Sequence, residues 1–328
     1  MIKPSSPDRK RDHEVTRRIH SRITTDPRVI LLIPTVEGRD FLADTLASVL
    51  EHAHCFDQLL LSVNGTTHQN ADQILHEQEL ASRVNIKVFC TRRHLSAVQH
   101  SRFINKKLPA HAHDQDCIFL LADDDLLPAG ANIKNYIQAI KNAHGTAVGM
   151  GRFATFEESK PIPFAQPQHI EPGESISPLE FLVRNQQGHR MTNISSMIVP
   201  YGIFKEASSF MWHLGSSGRR TEYILSTHRR VNLLYSPPSS SVLIRQHLGQ
   251  EGRILSFESL LHDELVYISW IWIHQRAMRP WAQTVGQDFK TSRFRSLLLD
   301  LLKRRLKITT HRLFKFAMKI KLLCRHHL

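Results

Sequence analysis

Residues Ile118–Asp125 read IFLLADDD, an apolar run that leads directly into three consecutive aspartates. Adjacent carboxylates repel each other and are costly beside an apolar run, and a hard divalent cation would offset that cost. Alternate side chains of an extended segment point the same way, so we expect Asp123 and Asp125 to face one ligand and Asp124 to face elsewhere. The alternative is a solvated turn that caps the next helix.

Three other apolar runs precede this one and alternate with helical patterns. We predict strands at 29–33, 58–63, 85–90 and 117–122, and helices at 39–51, 67–82, 95–107 and 128–144. This alternation predicts an α/β fold with a doubly wound, mostly parallel sheet flanked by helices. Ligands of such sheets bind at the carboxyl ends of the strands, where the three aspartates lie.

The pattern beyond residue 145 is less regular. Five prolines between 161 and 178 predict loops with short strands. The later predictions are a strand within 191–199, a Gly/Ser/Arg loop at 214–220, a helix at 221–228 with Thr221 as its N-cap, strands at 231–235 and 242–245, and long helices at 256–279 and 293–323.

Composition limits the class of protein. The 328 residues are 41% hydrophobic, enough for one large domain with appendages or for two small domains. The four cysteines form no CxxC pair, which favours a reducing compartment and no cysteine-based zinc site. We see neither a signal-peptide pattern nor an apolar run long enough to span a membrane. These features predict a cytoplasmic protein, with a peripheral position on the inner face of the plasma membrane as a further hypothesis.

The net charge of +13 is concentrated at the two ends of the sequence. Residues 293–328 carry eleven Lys/Arg and one acidic residue, and residues 1–28 carry eight Lys/Arg and four acidic residues. Within 293–323 the basic residues alternate with leucine and phenylalanine, a pattern typical of an amphipathic helix on an anionic membrane. The alternative is a helix that packs against its own domain and exposes a basic face.

Three motifs together resemble the nucleotide-binding half of glycosyltransferase family 2. Val29–Thr35 (VILLIPT) is similar to the opening strand of that family, Leu59–Thr67 (LLLSVNGTT) to its second-strand motif, and Ile118–Asp125 to its DxD motif. The resemblance implies a GT-A fold over 29–250, divided into a nucleotide-binding half (29–145) and an acceptor half (146–250). A basic lead-in (1–28) and a basic helical C-terminal extension (251–328) complete the predicted organisation.

The resemblance also implies a set of site residues. The residues expected to bind the nucleotide-sugar are Pro34, Thr35, Glu37, Asn64, Asp123, Asp124 and Arg245, and the expected ligands of Mn²⁺ or Mg²⁺ are Asp123, Asp125 and His247. Many relatives have aspartates where this sequence has Val63 and Asn64, but a neutral amide can still hydrogen-bond a base or ribose.

The expected catalytic base is Glu222, which follows a Gly/Ser loop at the start of a predicted helix. Its alternative role is a first-turn glutamate that favours the helix dipole. Glu37 and His247 have similar alternatives, as an ordinary surface glutamate and a solvated loop histidine.

The predicted function is an inverting glycosyltransferase in surface polysaccharide synthesis. The donor is a nucleoside-diphosphate sugar, with a UDP-sugar expected, and the acceptor is a saccharide or a lipid-linked saccharide. One alternative is nucleotidyl or phosphoryl transfer, although the sequence lacks a GxxxxGK[ST] loop. Another is a non-enzymatic protein that binds nucleic acid or another anionic surface. The interleaving of basic residues with leucine and phenylalanine argues against nucleic acid.

Overall fold

The computed structural model describes residues 26–38, 40–65, 80–157, 160–165, 170–186, 193–216, 218, 220–246, 257–276 and 279. The strands are β1 Val29–Val36, β2 Gln58–Asn64, β3 Asn85–Cys90, β4 Cys117–Leu120, β5 Ala147–Met150, β6 Arg152–Glu157, β7 Lys160–Ala165, β8 Ser175–Ile176, β9 Met197–Pro200, β10 Leu233–Tyr235 and β11 Ser240–Gln246. The helices are α1 Leu42–His52, α2 Ala97–Lys107, α3 Ile133–Asn142, α4 Pro178–Gln186, α5 Tyr201–Leu214, α6 Thr221–Ser226 and α7 Phe257–His274.

Eight of these strands form one sheet in the order β3-β2-β1-β4-β9-β5-β10-β8. Strands β1 to β4 are mutually parallel, and β5 and β10 run in the same direction. Only β9 and β8 run against the other six. The predicted α/β fold with a mostly parallel sheet is therefore confirmed.

The apolar runs form strands because the sheet is covered on both faces. Side chains along β1 alternate between two hydrophobic clusters, with Ile30 and Leu32 in one and Leu31 and Ile33 in the other. All four are at most 2% exposed. A strand buried on both faces has a continuous apolar sequence, as IFLL and VILLI do here.

Packing connects residues on either side of the predicted boundaries at 145 and 250. Strand β9 lies between β4 and β5, so residues on both sides of 145 share one sheet. Helix α7, from the predicted C-terminal extension, contributes Val266, Tyr267, Trp270 and Ile271 to the same core cluster as Ile30. Trp270 is therefore a core side chain.

Several local predictions differ from the structure, and Thr221 is the first residue of α6 and not its N-cap. The helix predicted at 128–144 begins only at Ile133, because Asn132 caps it with its side chain. Helix α5 was not predicted at all. Strand β4 ends at Leu120, and Asp123–Asp124 form a turn in which the Asp125 amide donates to the Ala122 carbonyl at 3.3 Å. Asp123–Asp125 are therefore not an extended segment, and the prediction that alternate side chains there point the same way is wrong.

Several predictions fall outside the described residues. They are the lead-in up to residue 25, most of the helix at 67–82, and the basic helix at 293–323. Within the part of the chain that the structure describes, no helix is long and apolar enough to span a membrane.

Candidate active site

The three aspartates lie on a turn that is fixed between the two sheets. Leu126, directly after the turn, forms an antiparallel bridge with Leu243 of β11 through hydrogen bonds of 2.9 and 2.7 Å. Two residues further along β11, the Arg245 amide donates to Asp125 Oδ1 at 3.1 Å. The smaller sheet therefore holds the acidic turn at the carboxyl end of β4.

A cavity of about 730 Å³ opens at this end of the large sheet. Its lining residues come from the ends of β1, β2 and β4, and from α2, α5 and the start of α6. The predicted site residues that line it are Pro34, Thr35, Asn64, Asp123, Asp124, Asp125 and Glu222. Glu37 and Arg245 are not among the lining residues, and His247 lies outside the described residues.

Asp123 and Asp125 are held by different partners. Thr35 Oγ1 donates to Asp123 Oδ2 at 2.7 Å, and Thr45 Oγ1 donates to the Asp123 carbonyl at 2.9 Å. Asp125 is 3% exposed, and its burial raises its pKa to about 8. The neighbouring Asp124 carboxylate contributes to this increase, while hydrogen bonds from the Ser195 side chain and the Arg245 backbone oppose it.

These carboxylates fit a divalent cation that is shared with a ligand. Among the described residues, no three His, Cys, Asp or Glu side chains are grouped closely enough to hold a metal ion. Mg²⁺ and Mn²⁺ are commonly held by one or two carboxylates together with phosphate oxygens and water. A cation beside Asp123 and Asp125 would also offset the charge repulsion that raises the Asp125 pKa.

Asn64 lines the cavity, but its amide group also holds a loop of the protein. Its Nδ2 donates to the Leu95 carbonyl at 2.8 Å, and its Oδ1 accepts from the Leu95 amide at 2.8 Å. Glu37 lies beside this loop, with a carboxylate oxygen 3.7 Å from His94 Nε2. The structure therefore places both residues at the junction of β1, β2 and the loop that leads into α2.

Arg245 is bound to the protein on several sides. Its guanidinium donates to Asp44 Oδ2 at 2.8 Å and to the Asp124 carbonyl at 3.1 Å. It also lies over the Phe41 ring, 4.3 Å from the centroid, and its side chain is 5% exposed. These contacts hold the acidic turn in place. The expected binding of the nucleotide-sugar by Arg245 stays a prediction.

Glu222 lies in the first turn of α6 and is 6% exposed. It lines the same cavity as the three aspartates. The sequence prediction that the acidic turn and Glu222 share one site therefore agrees with where the structure places them. The acidic turn and Glu222 are separate in sequence and can perform different tasks in one cavity, such as binding a cation and accepting a proton.

The sequence analysis missed His100, which lines the cavity from α2. His100 Nε2 lies 2.9 Å from the buried Ser62 Oγ, and burial lowers its pKa to about 4. The imidazole is therefore neutral at physiological pH. With 21 histidines in the chain, only its place on the buried face of α2, four residues before Ile104, could have indicated it.

Comparison with solved structures identifies the class of fold. No protein-family profile matches the sequence, and no curated protein matches it. The crystal structure of S. aureus TarS matches with a TM-score of 0.54 and 13% identity, over 81% of this chain and 44% of that one. This chain thus spans less than half the length of that TarS structure. The crystal structure of TarS 1–349 gives the same TM-score and identity over 73% of its length.

TarS has a GT-A-type fold, and this chain shares it. At 13% identity the likeness shows the fold alone. A weaker similarity, to GalNAc-T7 crystallised with UDP, GalNAc and Mn²⁺, has a TM-score of 0.47 at 15% identity, over 79% of this chain and 52% of that one, and supports no further conclusion.

Proposed function

We propose that this protein is an inverting, metal-dependent glycosyltransferase. It transfers a hexosyl-type sugar from a nucleoside-diphosphate donor to a saccharide or lipid-linked saccharide acceptor, in the synthesis of a surface polysaccharide. The observation that supports this proposal is the cavity at the carboxyl ends of β1, β2 and β4, which is lined by both the acidic turn and Glu222.

Each group of carboxylates has its own task in this proposal. Asp123 and Asp125 would hold Mn²⁺ or Mg²⁺ beside the donor diphosphate, with Asp124 next to them, and the cation would supply positive charge that stabilises the departing nucleoside diphosphate. Pro34, Thr35 and Asn64, which line the cavity, would contact the nucleotide-sugar. The Asn64 side chain already binds the loop that leads into α2. We therefore expect both this loop and the Asn64 amide to contact the nucleotide.

Glu222 acts as the general base. Its carboxylate takes the proton of the acceptor hydroxyl while that oxygen attacks the anomeric carbon. The new carbon–oxygen bond forms as the bond to the donor phosphate breaks, so the configuration inverts in one displacement. The protein's contribution is to hold the acceptor hydroxyl and the leaving diphosphate on opposite sides of the anomeric carbon.

Three other expectations belong to the same proposal. We expect the donor to be a UDP-sugar, and Glu37 and His247 to contact the donor or the cation. We also expect the basic segment 293–323 to bind an anionic membrane surface, which would place the cavity near a lipid-linked acceptor on the cytoplasmic side.

The first test is donor binding measured by thermal unfolding. The protein is heated with UDP, GDP, dTDP or CMP, each with and without Mn²⁺. Binding to the folded state raises stability by about 2.7 kcal/mol at a ligand concentration of 100 Kd. We expect one nucleoside diphosphate to raise the Tm only when Mn²⁺ is present, and Asp125→Asn to abolish that shift.

Asp116→Asn is the matched control. Asp116 is also a buried aspartate, 4% exposed, but it binds Arg28 before β1, at the opposite end of the strands. This variant should keep the nucleotide-dependent shift even if its own Tm is lower. A folded wild-type protein whose Tm responds to none of the nucleotides would contradict the proposal.

The second test separates binding from turnover. Glu222→Gln should keep the Mn²⁺-dependent shift, because the amide is nearly isosteric and Glu222 is not one of the proposed ligands of the cation. Release of nucleoside diphosphate from the matching nucleotide-sugar should fall by about 10²-fold or more when a general base is lost. Unchanged turnover in this variant would remove Glu222 from the catalytic role.

A further inference from the structure

Helix α7 is tied to the loop that precedes Glu222 by two adjacent side chains. His262 Nε2 lies 2.7 Å from the Leu214 carbonyl at the end of α5. Ser216 Oγ donates to Asp263 Oδ1 at 2.8 Å. The partners in these contacts are 48 and 47 residues apart in sequence. The loop is therefore held by a distant helix.

Asp263 is an unusual residue for its position. It is 1% exposed and lies on a helix whose nearby side chains, Val266, Tyr267 and Trp270, belong to the hydrophobic core. Burial of a carboxylate is costly unless hydrogen bonds stabilise it. A buried aspartate at this place therefore indicates that its hydrogen bond to the loop has a specific role.

The hydrogen bonds continue from Asp263 to the first turn of α6. While Ser216 Oγ donates to Asp263, it accepts from the Gly218 amide at 3.1 Å. The Gly218 carbonyl then accepts from Thr221 Oγ1 at 2.5 Å and from the Thr221 amide at 3.0 Å. Thr221 begins α6, and Glu222 is the next residue.

Two glycines of the loop have positive φ angles. Gly215 and Gly218 have φ angles of +73° and +93°, a region that glycine enters without steric cost but in which it has the largest conformational freedom to lose. Ser216, Gly218, Thr221 and Glu222 all line the cavity. The bonds to Asp263 therefore restrict a glycine-containing segment that forms part of the cavity wall.

We propose that Asp263 is a positioning residue of the candidate active site, which acts through Ser216, Gly218 and Thr221 to hold Glu222 towards the cavity. This inference rests on the proposed function, because it gives Glu222 the role of base. It assigns a task in the active site to α7, which lies outside the segment 29–250 to which the sequence motifs assigned the GT-A fold.

The test uses the full-length chain with Ser216→Ala, Asp263→Ala and Asp263→Asn. Asparagine keeps an acceptor for the Ser216 hydroxyl, whereas alanine does not. We expect Ser216→Ala and Asp263→Ala each to lower kcat for nucleoside-diphosphate release by about tenfold, the usual effect of losing one positioning hydrogen bond. The donor KM and the Mn²⁺-dependent thermal shift should stay unchanged, and Asp263→Asn should recover part of kcat.

Ser269→Ala is the matched control. Ser269 is also on α7, but its hydroxyl donates to the Leu265 carbonyl of the same helix and contacts no part of the loop. This variant loses the same atoms as Ser216→Ala and should keep the wild-type kcat. The double variant Ser216→Ala/Asp263→Ala should be no slower than the slower of the two single variants, because both substitutions remove the same hydrogen bond between Ser216 and Asp263.

Hydrogen exchange provides a measurement that does not depend on activity. Amides of 214–222 should exchange faster in Ser216→Ala than in Ser269→Ala, while those of α1 stay unchanged. Normal exchange of 214–222 together with normal kcat in Ser216→Ala would overturn the inference, even if Asp263→Ala failed to fold. Absence of any nucleotide-sugar turnover in the wild-type protein would instead count against the proposed function, and the exchange measurement would still decide whether Asp263 orders the loop.

Discussion

At the scale of single residues, the candidate site depends on polar side chains that are buried with a specific partner. Asp123 is bound by Thr35, Asp125 by the Arg245 backbone, and His100 lies against Ser62. Each pair lets a polar group remain inside the α/β core beside the cavity, where an unpartnered group would be costly.

The buried imidazole of His100 predicts a loss of stability in acid. Its pKa is about 4 in the folded protein and near 6.5 in the unfolded chain, so the unfolded chain binds the proton first as the pH falls. The stability it contributes is complete above pH 6.5 and is lost as the pH falls towards 4. This effect can reach about 3 kcal/mol, and urea unfolding at pH 7, 5.5 and 4.5 should show a smaller decrease for His100→Gln than for the wild type.

The exposed His54 supplies the comparison for this prediction. His54→Gln removes an exposed histidine that lies two residues after the end of α1. The stability of this variant should therefore follow that of the wild type across the same pH range. Equal pH dependence of His100→Gln and the wild type would show that His100 is not buried as a neutral group.

The sequence could predict the acidic turn and Glu222 because each stands in a local pattern of apolar run, loop and helix start. It could not predict the partners of Asn64, Arg245 or Asp263. Those partners are between 31 and 201 residues away along the chain, and no local pattern carries such information.

At the scale of elements, the loop between β3 and α2 is held by the side chain of Asn64. We expect Asn64→Ala to lower the free energy of unfolding by about 1–3 kcal/mol, because the Leu95 amide and carbonyl lose their partners. Asn64→Asp should be similarly destabilised, since a carboxylate accepts from the Leu95 amide but repels the Leu95 carbonyl.

Urea unfolding measures both variants. Asn142→Ala, at an exposed position near the end of α3, is the control and should change stability by less than about 0.5 kcal/mol. If Asn64→Ala were as stable as this control, the amide would not be holding the loop.

The sequence predicted the strands before residue 121 well and the elements after it less well. The early strands are apolar runs, and Asn64-Gly65 correctly marks the end of β2. Pro34 does not end β1 as predicted, because the strand continues to Val36 and stays paired with β2. Helix α5 begins directly after β9 at Pro200, and its first residues, Tyr201–Phe204, are all buried. Without a polar face in its first turn, α5 has no helical periodicity to separate it from the strand before it. Thr221, predicted as an N-cap, is instead the first residue of α6.

At the scale of the whole molecule, helix α7 completes the larger of the two hydrophobic clusters. Ile271 is 0% exposed and shares this cluster with strand and helix residues from across the chain. We expect Ile271→Ala to lower the free energy of unfolding by about 2–5 kcal/mol, the usual range for a buried isoleucine. Thermal and urea unfolding should show this loss as one cooperative transition.

Leu179→Ala is the comparison at this scale. Leu179 is 42% exposed on α4, so its truncation should change stability by less than about 1 kcal/mol. A separate early transition in Ile271→Ala, with the rest of the chain unfolding as in the wild type, would show that α7 is an appendage and not part of the core.

The antiparallel strand β9 also determines how the chain can be divided. A fragment that stopped near residue 145 would contain β1 to β4 but would lack the residues that pair with β4, among them Ile198 opposite Phe119 and Val199 opposite Ile118. Strand β4 would then be an exposed and entirely apolar strand at the edge of the sheet. Such an edge can pair with other copies of the fragment. This fragment should therefore aggregate when expressed alone, and domain exchange between proteins of this fold would have to carry β9 along with β4.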